Sequence, residues 1–236
     1  WGVLPWLQTM ALDGRKDKLC VLGPTSSEVI DALLGKEVEP EVNPSDLVIQ
    51  YDMWMDLGAT SESLGYEVEW ILGDGQRWVN MNDGSQVDLP QPLKNITISA
   101  HPTQHTVPSC AWRVSTGGRK GKFNRVATQH LPDEIKAVLA AGNDIEYEGE
   151  LLEAMNFRSN YRPGQSVIIS GDTAEQAIDS ECDLLIHEAT FLKTHTDIAN
   201  EHLHSTAAGA ARTAVECNAK HLALTHYSGR LENHDS

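Results

Sequence analysis

With 236 residues, 40% of them hydrophobic, the chain is long enough to enclose a sizeable core in one large domain or two small ones. Its formal charge of -16 argues against general affinity for polyanions, because phosphate binding is driven by cationic surface and counterion release. The apolar runs are far shorter than the ~20 residues of a membrane span, and no basic-then-apolar leader opens the sequence, so a cytoplasmic protein without a membrane partner is expected.

In chain order, residues 1–12 read as a helix, with Leu4, Leu7 and Ala11 at helical spacing. No N-cap precedes them, so the chain is expected to begin inside a larger fold. Residues 18–22 read as a strand ended by Gly23-Pro24, and Ser26 is placed to cap a helix through Leu34. From 47 to 114 the pattern is mainly β, with strands at 66–72, 77–81, 96–100 and 110–114 and turns at Gly73-Asp74-Gly75 and Asp83-Gly84. Gly117-Gly118 opens the segment GGRKGKFNR, where Arg119, Lys120, Lys122 and Arg125 cluster on an otherwise acidic chain. Charge alone favours a solvated loop there over a phosphate-binding patch. Residues 132–141 read as a short helix and 142–163 as an irregular, polar excursion.

The last third alternates: a strand at 166–170, a helix from Thr173, a strand at 183–187, a helix at 206–217 stopped by Asn218, and a strand at 221–225. Such alternation indicates parallel strands with helices packed on the sheet. With the β-rich first half it predicts an α/β sandwich of two sheets with outer helices. Cys20, Cys110, Cys182 and Cys217 form no CxxC pair and are expected to be reduced, mostly buried hydrophobes.

Polar residues stand at the ends of these apolar runs. His226 follows Leu222-Ala223-Leu224-Thr225, at the mouth of the sheet, where a neutral imidazole can bind zinc; a structural histidine is the alternative. Asp172 follows a strand and Gly171, whose missing side chain permits close approach; its carboxylate can bridge two cations or cap a helix from Thr173. His101 and His105 imitate a helical metal pair, but Pro102 opposes a helix, and His105 is favoured as the ligand. Glu188 and His204 suit an acid/base pair in which the carboxylate fixes the imidazole tautomer and raises its pKa; capping is the alternative. His130, His187, His195, His202, His221 and His234 have no comparable context and read as structural or surface residues.

Through GVLPWLQTMAL, HTVPSCAWRV, KGKF, SGDT, DLLIHEATF, HSTAAGAA and LTHYSGR, in that order, the chain resembles the ribonuclease Z branch of the metallo-β-lactamase superfamily, which processes tRNA 3' ends. The HEAT and HST pair is the most specific part. The resemblance implies an αββα sandwich, incomplete at both termini, with a single domain over 1–236 and a variable or flexible excursion at 117–163. It also implies two Zn2+ ions, although manganese and iron suit the same ligands. His105 and His226 would bind metal, Asp172 would bridge, and Glu188 and His204 would relay a proton. Arg119, Lys120 and Lys122 would contact phosphate of a precursor tRNA, and the assembly would be a homodimer, with Trp1 and Trp6 available for the contact. The family's main ligand motif, HxHxDH, occurs nowhere in this sequence, and the family continues beyond LTHYS. A piece truncated at both ends, holding half a metal site and inactive by itself, is therefore expected. In place of the family's glycine-proline arm stand Leu131-Pro132-Asp133 and a polar tract at 142–149, so a reduced or altered arm is expected.

The expected activity is removal of the 3' trailer from precursor tRNA. Two alternatives remain open. A phosphodiesterase acting on small esters or cyclic nucleotides fits the acidic balance. A non-catalytic RNA-binding or scaffold paralogue fits the missing motif, though it has no need of Asp172, His204 and His226.

Overall fold

In the computed structural model, residues 2–39, 42–43, 45–159, 162–175 and 177–229 are described; Trp1 and His234 lie outside them. Helix α1 (Val3–Leu12) buries Leu7 completely and lays Val3, Leu4, Met10 and Ala11 against Tyr66, Val68 and Trp70. Strand β1 (Leu19–Pro24) includes the Gly23-Pro24 step expected to end it. Ser26 caps α2 (Ser27–Leu33) by accepting the Val29 amide.

Residues 47 onward, expected to be β, form helix α3 (Leu47–Asp56), and α4 (Ser61–Leu64) follows. The buried Asp46 carboxylate decides this by accepting the Val48 amide at 3.1 Å and the Thr25 hydroxyl at 3.0 Å. Tyr51, Trp54 and Met55 then share one helical face, and Trp54 stacks on Trp70 at 5.2 Å between ring centroids. Strands β2 (Val68–Gly73), β3 (Trp78–Asn80) and β4 (Gln86–Val87) complete a sheet of order β1-β2-β3-β4, parallel at β1/β2 and antiparallel beyond.

Strands β5 (Ile96–Thr103) and β6 (Ser109–Thr116) start the second sheet. The chain then forms a separate unit, 115–165, with β7 (Lys122–Phe123), α5 (Asp133–Ala141), the hairpin β8 (Ile145–Tyr147) and β9 (Glu150–Leu152), and β10 (Arg158–Ser159) paired with β7. The tract expected to be irregular is thus a hairpin built around its own core of Leu131, Leu139 and Ala154. Ile145, Tyr147 and Leu152 supply it at alternate strand positions, a pattern too short to stand out among five acidic neighbours.

Strands β11 (Ser166–Ile169), β12 (Leu184–Glu188) and β13 (His221–Thr225) finish the second sheet, order β13-β12-β11-β6-β5, with β11/β12 and β12/β13 parallel as the alternation predicts. No helix starts at Thr173 among the described residues. Its amide is taken by Glu188 and that of Ala174 by the Gln104 carbonyl, so the groups that would begin a helix are bonded elsewhere. Helix α6 (Thr196–Glu201), unforeseen, precedes α7 (Ala207–Glu216), which Thr206 caps and Asn218, at φ 46°, terminates.

The alternation of β6 settles the layering: Cys110 faces Ile71, Trp78 and Ala100 of the inter-sheet core, whereas Ala111 faces Ile168, Leu185, Ala214 and Cys217 under α7. Trp78 and Trp112 meet between the sheets at 5.7 Å. Helices α1, α3 and α4 cover the first sheet and α7 the second, which is the αββα sandwich expected of the metallo-β-lactamase type. Each fully buried Ile or Leu in these layers is worth about 1.5–3 kcal/mol. No helix is long and apolar enough to cross a membrane among the described residues.

Candidate metal centre

Because β11, β12 and β13 run parallel and in register, from Ile169 beside Ile186 to Glu188 beside Thr225, the residues that follow them emerge at one carboxyl edge of the sheet. Ligands of open α/β sheets bind at such edges. Asp172, Glu188, Thr190 and His226 come from these three strand ends. His105 comes from the turn between β5 and β6, and His204 from the turn between α6 and α7.

Gly171 has a left-handed φ of 63°, and a Cβ there would stand 3.2 Å from the Cys110 carbonyl oxygen. The next residue is pinned by Ser109, whose hydroxyl donates to the Asp172 carbonyl at 2.9 Å. The Asp172 carboxylate faces two imidazoles, one with each oxygen. Oδ2 lies 3.9 Å from His105 Nε2 and Oδ1 lies 3.6 Å from His226 Nε2. His226 itself adopts φ 56°, uncommon for a residue with a side chain and sustained only where its surroundings fix it.

The ring nitrogens can be assigned from their partners. His105 Nδ1 lies 3.1 Å from the Leu203 carbonyl, which only accepts, so Nδ1–H donates and Nε2 keeps its lone pair toward Asp172. Second-partner bonds of this kind orient metal-binding histidines. His204 Nδ1 lies 2.7 Å from Glu188 Oε1. Glu188 is 1% exposed. Burial pushes its pKa up, but the hydroxyl and amide of Thr190, the Thr173 amide and the His204 imidazole outweigh burial and hold it below the ordinary glutamate range. The carboxylate is therefore ionised, and His204 Nδ1–H donates to it.

One ligand atom from each of His105, Asp172 and His204 lies within 4.8 Å of the others, and the same holds for Glu188, His204 and His226. Imidazole nitrogen with carboxylate oxygen is the donor set of zinc, manganese and iron sites. The residues present fit a divalent metal: a carboxylate offers one oxygen to each of two imidazoles, and one of those imidazoles is locked with its free nitrogen inward.

No protein-family model matches the chain. It is 30% identical to ribonuclease Z of Methanosarcina mazei over 97% of its own length, and 31% identical to ribonuclease Z of Natronomonas pharaonis over 97%. The chain belongs to the ribonuclease Z family. It spans 66% of the length of each of these two relatives. Among solved structures it resembles the short form of human tRNase Z, with a TM-score of 0.50 and 20% identity, covering 98% of this chain and 69% of that one.

Within the ribonuclease Z motifs, the structure brings together five residues singled out from the sequence: His105, Asp172, Glu188, His204 and His226. It adds Thr190, the last residue of HEAT, whose hydroxyl touches Glu188, His204 and His226. A hydroxyl two residues beyond a carboxylate at a strand end was the available signal. The Leu203 carbonyl left no such trace, because backbone atoms have no sequence signature. His101 is bonded to Ser99 on β5 and belongs to neither cluster. His187 is fully buried and donates to the Glu188 carbonyl from Nδ1 at 2.7 Å; burial lowers its pKa and keeps it neutral. Arg119, Lys120 and Lys122 belong to the unit 115–165, where the Arg119 backbone pairs with Arg162 and Lys122 lies on β7.

Proposed function

We propose that this protein is a zinc-dependent endoribonuclease that removes the 3' trailer from precursor tRNA and leaves a 3'-hydroxyl on the tRNA. The observation that carries this reading is the Asp172 carboxylate, split between His105 and His226, with the Glu188–His204 pair alongside. His105 and His226 would each hold a cation, with the Asp172 carboxylate shared between them. When bound, the cations supply Lewis acidity toward a water and the phosphoryl oxygens. His204 donates a proton to the leaving 3'-oxygen of the tRNA, the phosphate staying on the trailer, and ionised Glu188 stabilises the imidazolium that carries the proton. The names of the relatives support tRNA as the substrate class. Arg119, Lys120 and Lys122 contact phosphate, and the assembly is a cytoplasmic homodimer.

Three protein ligands are fewer than two cations need, so the reading requires further ligands of the HxHxDH kind from outside these 236 residues. Sequencing the flanking coding region checks that requirement, and the product so defined is the one to assay. Incubated with zinc and a precursor tRNA, it should cut just after the discriminator nucleotide, and Asp172→Ala should abolish the cut. Turnover of bis(p-nitrophenyl) phosphate with intact tRNA would replace this reading by the small-ester phosphodiesterase. Binding of tRNA without metal or cleavage would replace it by a scaffold.

A further inference from the structure

Thr190 lies two residues beyond β12, is 8% exposed, and has its hydroxyl against three titratable side chains. Oγ1 stands 2.7 Å from Glu188 Oε2, 2.8 Å from His226 Nδ1 and 3.3 Å from His204 Nδ1. A hydroxyl has one proton to give and lone pairs to receive. An ionised carboxylate can only accept, so the Thr190 proton goes to Glu188. His204 Nδ1 is already committed to the other oxygen of that carboxylate, at 2.7 Å. The short approach to His226 is then filled in one way: Nδ1–H of His226 donates to the Thr190 oxygen. His226 Nε2 is left with its lone pair, and this is the nitrogen that stands 3.6 Å from Asp172 Oδ1.

We propose that Thr190 is a positioning residue that holds His226 in the Nδ1–H tautomer and joins the metal ligand to the proton-relay pair in one hydrogen-bonded chain. The chain runs from His226 Nδ1–H to Thr190, from the Thr190 hydroxyl to Glu188, and from His204 Nδ1–H to the same carboxylate. Without the hydroxyl, the proton of His226 moves to Nε2, where the Asp172 carboxylate accepts it and where it blocks a cation. The tautomer assignment stands on these distances and on an ionised Glu188 carboxylate, and its consequence for metal rests on the reading of His226 as a ligand.

Nitrogen-15 spectra of the histidine rings, recorded without metal, test the assignment. His226 should carry its proton on Nδ1 in the wild type and in Thr190→Ser, and on Nε2 in Thr190→Val. Titration with zinc should then show affinity reduced about 10- to 100-fold in Thr190→Val and restored in Thr190→Ser. A wild-type His226 protonated on Nε2, or a Thr190→Val variant that keeps Nδ1–H, overturns the proposal. The expected tautomers in a protein that binds no zinc would uphold the positioning role and sink the metal reading instead.

Discussion

Glu188 is held by the amides of Thr173 and Thr190, the hydroxyl of Thr190 and the imidazole of His204, and each of these donors favours its charged form. The sign of the pH effect follows. A carboxylate whose folded pKa lies below its unfolded value adds stability that is complete above about pH 4.3 and is lost as the pH falls through the lower folded value. Acid unfolding followed by circular dichroism should therefore steepen below about pH 4.3 in the wild type and flatten in Glu188→Gln. In the tRNA reading, the same variant should lower trailer cleavage by about 10²- to 10⁴-fold in the active product, since an amide would give an imidazolium at His204 no counter-charge.

Among the elements, α3 shows why pattern and propensity misread residues 47–56. Val48, Ile49, Tyr51 and Trp54 favour strand, but the Asp46 cap and the helical spacing of Tyr51, Trp54 and Met55 against Trp70 prevail. The hairpin between β2 and β3 was legible from Gly73-Asp74-Gly75. It is tied by Arg77, which bonds Asp74 at 2.7 Å and also Asp31. Gly73 leaves no room there, because a Cβ would stand 2.3 Å from the Trp78 ring and 2.7 Å from the Arg77 carbonyl. Gly73→Ala should cost about 1–3 kcal/mol of unfolding free energy, read from urea denaturation. At the site, Gly171→Ala should cost about 1–2 kcal/mol from its left-handed φ and should also weaken zinc binding by displacing Asp172, so its effect on affinity should exceed that of Gly73→Ala.

Over the whole molecule the charge is divided unevenly. Basic and acidic side chains balance within residues 115–165, so the net charge of -16 belongs to the unit that holds the candidate metal centre. A polyanion would be attracted mainly through the smaller unit. In the tRNA reading, replacing Arg119, Lys120 and Lys122 with alanine should weaken precursor tRNA binding and reduce the salt slope by about 1 for each phosphate no longer neutralised. Filter binding across a salt series measures this, and an unchanged slope would return these residues to a solvated surface.

From the sequence alone one could read the parallel last third, the sandwich and the five polar residues that meet at the sheet edge, because apolar runs of strand length ending in polar groups are a local, periodic signal. Tertiary structure decided what those groups face. The αR start of α3, the non-helical backbone of Thr173 and Ala174 and the tautomer of His105 all depend on hydrogen-bond partners distant in the chain: Thr25, Glu188 and the Leu203 carbonyl. Such partners are fixed by how strands register and turns close, and residues 98 positions apart, such as His105 and Leu203, carry no pairing signal in one sequence.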